Sequence, residues 1–173
     1  MELPSRRSPR LKNYDYSRNG AYFVTICTYK RKKTLSSIVG EGFPLPQLTE
    51  AGMIAEKWIR CINQKYSTVL PKYYVIMPNH IHLLIHIIGD GRGDPSPTIS
   101  DVVGWLKYHI TRDINLSNCS NTEKHFQRSY HDHIIRDKRD YEKIVTYIRE
   151  NPLKWVNDCF YCEGDFDATQ TIH

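Results

Sequence analysis

Four side chains, in two places sixty-five residues apart, carry the chemistry this sequence offers. The first place is "VIMPNHIHLLIHI" (75–87), an apolar run holding His80, His82 and His86. Side chains alternate along a strand, so His80 and His82 project from one face while Ile81 points from the other. Two imidazoles one pleat repeat apart can ligate a single metal and leave coordination positions open, as a catalytic site requires and a closed structural site does not. The same spacing also suits a pair of hydrogen-bonded core histidines, and spacing alone does not choose. His86 shares their nominal face but lies toward the end of the strand.

The second place is "YIRENP", where Tyr147 and Asn151 stand four residues apart and share a helix face. An amide oxygen is a reasonable third ligand for a hard divalent cation, and a phenol beside it is a candidate nucleophile. Packing for Tyr147 and an ordinary Asn-Pro helix stop are the alternative. A competing pair, His131 and His133 in "SYHDHIIR", repeats the His-x-His pattern in a short polar setting that reads as a rim. Glu150 is a candidate base for a metal nuclease that uses water instead of tyrosine. Neighbouring helix positions point in different directions, which ranks that reading below the tyrosine one.

The elements that must hold these groups follow from pattern. "AYFVTICTY" (21–29) is β-branched and aromatic, a strand closed by the charge run "KRKK" (30–33). Residues 34–48, with two glycines and two prolines, read as a loop or small hairpin. "LTEAGMIAEKWIRCINQKY" (48–66) is a helix capped by Thr49, with Met53, Ile54, Trp58 and Ile62 as its apolar stripe. Two strands, near 69–77 and 81–88, turn at Pro78-Asn79. The glycines of "GDGRGDPSP" (89–97) lack the lysine and spacing of a phosphate-binding loop, so no nucleotide cofactor is expected. A second helix (98–115) opens on a Thr98/Asp101 capping box. A strand in 128–136 and a helix over 137–151, stopped by Pro152, complete the order. This order predicts an α+β ferredoxin-like sandwich, a central antiparallel sheet with helices packed on one face.

The chain has 173 residues, 24 Lys and Arg against 19 Asp and Glu, and 12 tyrosines. Its charge of +5 makes an anionic partner plausible, and its aromatics are of the kind that stack on unpaired bases. Five scattered cysteines do not form a secreted disulfide framework, and Cys159-Phe-Tyr-Cys162 has no second pair to complete a zinc site. With no signal-peptide core and no membrane-length apolar run, the expected setting is cytoplasmic, without membrane contact.

Together these stretches resemble a known family. "VIMPNHIHLLI" is similar to the His-hydrophobic-His (HUH) strand of the single-tyrosine transposases. "RRSPRLKNYDYSRNGAYFVTICTYKR" and "FQRSYHDHIIRDKRDYEKIVTYIRENPLKW" resemble the REP-associated tyrosine transposase branch. The likeness runs, with gaps, from about residue 6 to 156. It implies a metal-dependent endonuclease and strand transferase acting on single-stranded DNA, often beside a hairpin, through a 5′-phosphotyrosine intermediate. By position, His80 and His82 match the HUH histidines, Asn151 the polar third ligand and Tyr147 the nucleophile. This correspondence singles Tyr147 out from Tyr130 and Tyr141. The resemblance also implies Mg²⁺ or Mn²⁺, although paired histidines suit zinc as well. Family members often carry Trp where Phe126 stands and an aromatic where His131 stands.

On that reading residues 1–19 form a basic arm, 20–157 the single catalytic domain and 158–173 a short tail. Arg6, Arg7, Arg10, Lys12, Lys30, Arg31, Lys32 and Lys33 are candidate phosphate contacts, joined by Lys107 on the second helix. Related enzymes work as monomers or homodimers, and nothing in the sequence selects between them. The rival reading is a repurposed nucleic-acid-binding domain that lost the reaction.

Overall fold

In the computed structural model, which describes residues 19–40, 42, 44–89, 97–120 and 122–161, the predicted order is recovered. Strand β1 (Gly20–Cys27) is followed by a hairpin, β2 (Ser36–Val39) and β3 (Leu45–Leu48), then α1 (Glu50–Lys65). Next come β4 (Val69–Met77), β5 (His80–Ile87), α2 (Ile99–Ser117), β6 (His131–Ile135) and α3 (Lys138–Glu150). The main sheet has the order β4-β5-β1-β6, with every neighbouring pair antiparallel. With the small hairpin set aside, this is βαββαβ in ferredoxin-like order, with α3 added.

Alternation in β5 divides the sheet between two cores. Ile81, Leu83, Ile85 and Ile87 enter the larger, with Tyr22, Val24 and Ile26 of β1 and the buried stripes of α1 and α2. Leu84 enters the smaller, with Val75 and Met77 of β4, Ile144 and Ile148 of α3, and Trp155. The expectation of helices on one face therefore holds for α1 and α2 but not for α3, which covers the opposite face. Amphipathicity fixes which side of a helix is buried, not which side of a sheet receives it.

The helix starts follow local chemistry. Thr49 Oγ1 accepts from the Gly52 N–H, and Asp137 Oδ1 accepts from Asp140 N. Thr98 and Asp101 form the full reciprocal capping box. Caps of this kind are each worth about 1 kcal/mol. The predicted stripe of α1 is turned: Met53 is 56% exposed, and the helix buries Gly52, Ala55, Ile59 and Ile62. Gly52 is the cause, because a Cβ there would stand 2.0 Å from the Leu35 carbonyl oxygen. Only glycine lets α1 approach that closely, and the approach rolls Met53 outward. Among the described residues no helix is long and apolar enough to cross a membrane.

Candidate active site

The register of β5 brings polar partners to the two histidines. Thr25 on β1 lies opposite His82, and Cys27 lies opposite His80. His80 and His82 are buried, with 0% and 1% of their surface exposed. His82 Nδ1 is 2.9 Å from Thr25 Oγ1, and His80 Nδ1 is 2.9 Å from Asn79 Oδ1. The Asn79 amide nitrogen donates to the Phe160 carbonyl at 2.8 Å, which fixes the direction of that amide. Asn79 Oδ1 only accepts, so His80 Nδ1 carries the proton and its Nε2 presents a lone pair. The two Nε2 atoms converge at 3.0 Å, so a single proton or a cation must lie between them. Burial pushes His80 down to about 4. It pushes His82 well below the ordinary histidine value, with the neighbouring His80 adding to the effect. Both imidazoles are neutral at neutral pH, the state in which histidine binds metal.

α3 brings the rest. With Ile144 and Ile148 buried against the sheet, Tyr147 sits at the margin of that stripe, its ring edge-on to Phe23. Its hydroxyl is 3.3 Å from His82 Nε2 and donates toward Asp158 Oδ2 at 3.4 Å. Burial, then the Asp158 carboxylate, raises Tyr147 to about 12. Asn151, 1% exposed, donates from Nδ2 to Asp158 Oδ2 at 2.8 Å. Its Oδ1 is buried without a hydrogen-bond partner. An orphaned buried carbonyl oxygen costs free energy unless something positive meets it.

Asp158 is the group that sequence reasoning missed. Ligand atoms of His80, His82 and Asp158 all lie within 4.8 Å of one another. With Asn151 Oδ1 the donors are two imidazole nitrogens and two oxygens, a set that fits a divalent ion of the Mg²⁺–Mn²⁺–Zn²⁺ range. The residues present therefore fit the metal that the HUH resemblance implies. No sequence motif marks Asp158, because it lies beyond the Asn-Pro element in residues that read as a tail. Its described part, residues 158–161, packs over the site, with the Phe160 ring 4.7 Å from that of His80.

The predicted phosphate contacts divide. Arg6, Arg7, Arg10 and Lys12 lie outside the described residues. Lys30 and Arg31 adopt left-handed backbone, φ 55 and 56. Arg31 donates to the Cys159 carbonyl at 3.2 Å and lies over the Phe160 ring, while Lys33 lies over Tyr161. Part of the "KRKK" run thus clasps the 159–161 segment. Lys107, expected beside the DNA backbone, is turned to the protein's own chain. Its ammonium donates to the carbonyls of Gln127, Arg128 and Ser129 at 2.8, 3.2 and 3.1 Å. All three N–H donors are committed to the loop, and burial lowers Lys107 to about 8.

Of the other candidates, His131 lies opposite Thr25 on the neighbouring strand with its ring 6.4 Å from that of Phe160, and the rest have partners elsewhere. His86 lies against Tyr141, His133 pairs with Asp140 at 2.8 Å, and Glu150 pairs with Lys154 at 2.6 Å.

Residues 16–151 match the profile of the IS200-like transposase family. The chain is 31% identical over 172 residues to an uncharacterized Haemophilus influenzae protein, covering 91% of this chain and 94% of that one. A second Haemophilus influenzae protein, provisionally named a REP-associated tyrosine transposase, is 28% identical over 83% of this chain and 77% of its own length. Among solved structures, a REP-associated tyrosine transposase bound to a REP hairpin superposes with a TM-score of 0.62 at 20% identity, over 84% of this chain and 74% of that one. A Deinococcus radiodurans protein provisionally identified as a transposase gives 0.50 at 18%, over 82% and 95%. At those identities the two structural likenesses speak for the fold.

Proposed function

The chain belongs to the IS200-like transposase family, and from that premise we propose that it cuts and rejoins single-stranded DNA through Tyr147, as a REP-associated tyrosine transposase. A hairpin beside the cleavage point is the proposed partner, by analogy with the solved relative that was bound to one. The observation that carries the reading is the Tyr147 hydroxyl at 3.3 Å from His82 Nε2, on the face where both imidazoles converge.

In the proposed reaction Tyr147 Oη attacks phosphorus and the bond to the 3′ oxygen breaks, giving a 5′-phosphotyrosine and a free 3′-hydroxyl. Attack by another strand's 3′-hydroxyl reverses these changes, joins the strands and returns the proton to the phenol. A phenolate leaves more readily than a sugar alkoxide, so bond energy is kept through the covalent step. His80, His82, Asn151 and Asp158 are the proposed holders of a divalent ion, which when bound supplies Lewis-acid stabilisation at the phosphodiester. Thr25 and Asn79 orient the imidazoles, and the ring of Phe23 steadies Tyr147. Asp158 stands where the phenolic proton points. At a pKa of about 12 that proton does not leave unaided at neutral pH.

The test mixes the full chain, Mn²⁺ and a pool of hairpin-bearing oligonucleotides with randomised single-stranded flanks, followed by a denaturing gel. Wild type gives a covalent adduct, and Tyr147→Phe gives none while still shifting the DNA on a native gel. An adduct that survives Tyr147→Phe, or a wild type that forms none, overturns the reading. Cleavage lost only in Glu150→Gln assigns the water-using alternative instead.

A further inference from the structure

α3 carries more than the tyrosine. Arg139, Lys143 and Tyr147 recur every four residues and are all exposed, so they form one row along the outer side of the helix. The three line a single groove of about 460 Å³, which also takes in Glu142, Thr146 and the Glu150–Lys154 pair. The acids nearby have partners of their own: Glu142 faces Lys138 at 3.7 Å, Glu150 faces Lys154 at 2.6 Å and Asp140 accepts from the His133 ring at 2.8 Å. Arg149 is turned to the other side of the helix, over the Tyr73 ring. Among the described residues Arg139 and Lys143 make no side-chain hydrogen bond or close ion pair, and Lys143 feels the Asp140 carboxylate only through space, so both ammonium and guanidinium groups are open to a ligand in the groove.

Taking Tyr147 as the nucleophile, we propose that Arg139 and Lys143 form a phosphate track that seats the backbone of the strand being cut and leads it along α3 to the tyrosine hydroxyl. Successive members of the row lie about 6 Å apart along the helix axis, close to the phosphate-to-phosphate step of an extended single strand. Backbone contacts of this kind set register and leave sequence to be read elsewhere. None of the sequence-derived phosphate contacts lies on α3, where basic residues on the outer face of an amphipathic helix look like ordinary solvated surface.

The test measures affinity in the Tyr147→Phe background, where no chemistry intervenes. The probe is a fluorescein-labelled oligonucleotide carrying a hairpin and a single-stranded flank, titrated across a range of salt concentrations. Removing two single-strand phosphate contacts with Arg139→Gln and Lys143→Gln lowers the slope of log affinity against log salt by about 1.4. The charge-preserving Arg139→Lys and Lys143→Arg restore it. Trimming the flank to leave only the hairpin abolishes the difference between the double variant and its parent. A slope unchanged by the double variant overturns the proposal. So does an equal fall in the control pair Arg136→Gln and Lys138→Gln, or an effect that persists on the hairpin alone. In the Tyr147 background the slope still reports the track if the adduct assay fails, so the two readings fail separately.

Discussion

Thr25→Val is the most informative single change in the site. Thr25 is buried on the central strand, and its hydroxyl stands 2.9 Å from His82 Nδ1. Valine fills the same volume, so packing is retained and only the hydrogen bond is lost. Leaving a buried imidazole nitrogen without its partner costs about 1–3 kcal/mol of stability. The same change frees the ring to rotate and to exchange tautomers, so Nε2 no longer faces His80 Nε2 in a fixed way. Losses of such orienting contacts lower metal affinity about 10- to 100-fold. Calorimetric titration with Mn²⁺ measures the affinity, and the urea midpoint measures the stability. Thr25→Ser, which keeps the hydroxyl, binds metal like wild type. A Thr25→Val protein with wild-type Mn²⁺ affinity refutes the reasoning, because His82 would then need no orienting partner or would not be a ligand.

Both histidines are held neutral by burial, so the unfolded chain binds protons that the folded one refuses. Stability of the metal-free protein is therefore full above about pH 6.5 and falls as pH drops toward 4, read from urea midpoints across pH; in His80→Gln the fall is shallower. Lys107→Met removes donors from three carbonyls and costs about 1–3 kcal/mol in chemical denaturation. It leaves the salt dependence of DNA binding unchanged, whereas a phosphate-contacting lysine would lower it. Gly52→Ala drives a methyl into the Leu35 carbonyl and lowers the thermal midpoint, while alanine at solvent-facing Gly104, with open space around its Cβ position, raises or preserves it.

The legible parts of this molecule were those encoded by neighbours in the chain. The alternation of "HIHLLIHI" placed His80 and His82 on one face, Thr98 with Asp101 announced a helix start, and Pro152 ended α3. What depended on distant pairing was not legible. Thr25 is one of several β-branched residues in its strand until the register sets it against His82. Asp158 has no local pattern and reaches Asn151 and Tyr147 only because the chain turns back over the sheet after Pro152. Lys107 reads as a free surface cation until the 127–129 loop folds over it. The apolar stripe points Met53 inward, but a glycine one position earlier sets the roll of the helix and turns it out.

The unequal covering of the sheet gives the two halves of the site different lifetimes. α2 sends six buried aliphatic side chains into its core, whereas α3 buries two, Ile144 and Ile148, with Tyr141 and Val145 partly buried beside them. At about 1.5–3 kcal/mol for each fully buried aliphatic side chain, α3 is held by a small fraction of what secures the histidine strand. Local opening follows that gradient. Amide protons of α3 exchange with solvent well before those of β5, through excursions that leave the rest of the domain folded. In the proposed reaction, a strand end esterified to Tyr147 would be tethered to the part of the domain that detaches first, while the imidazoles would keep their places for whichever end arrives next.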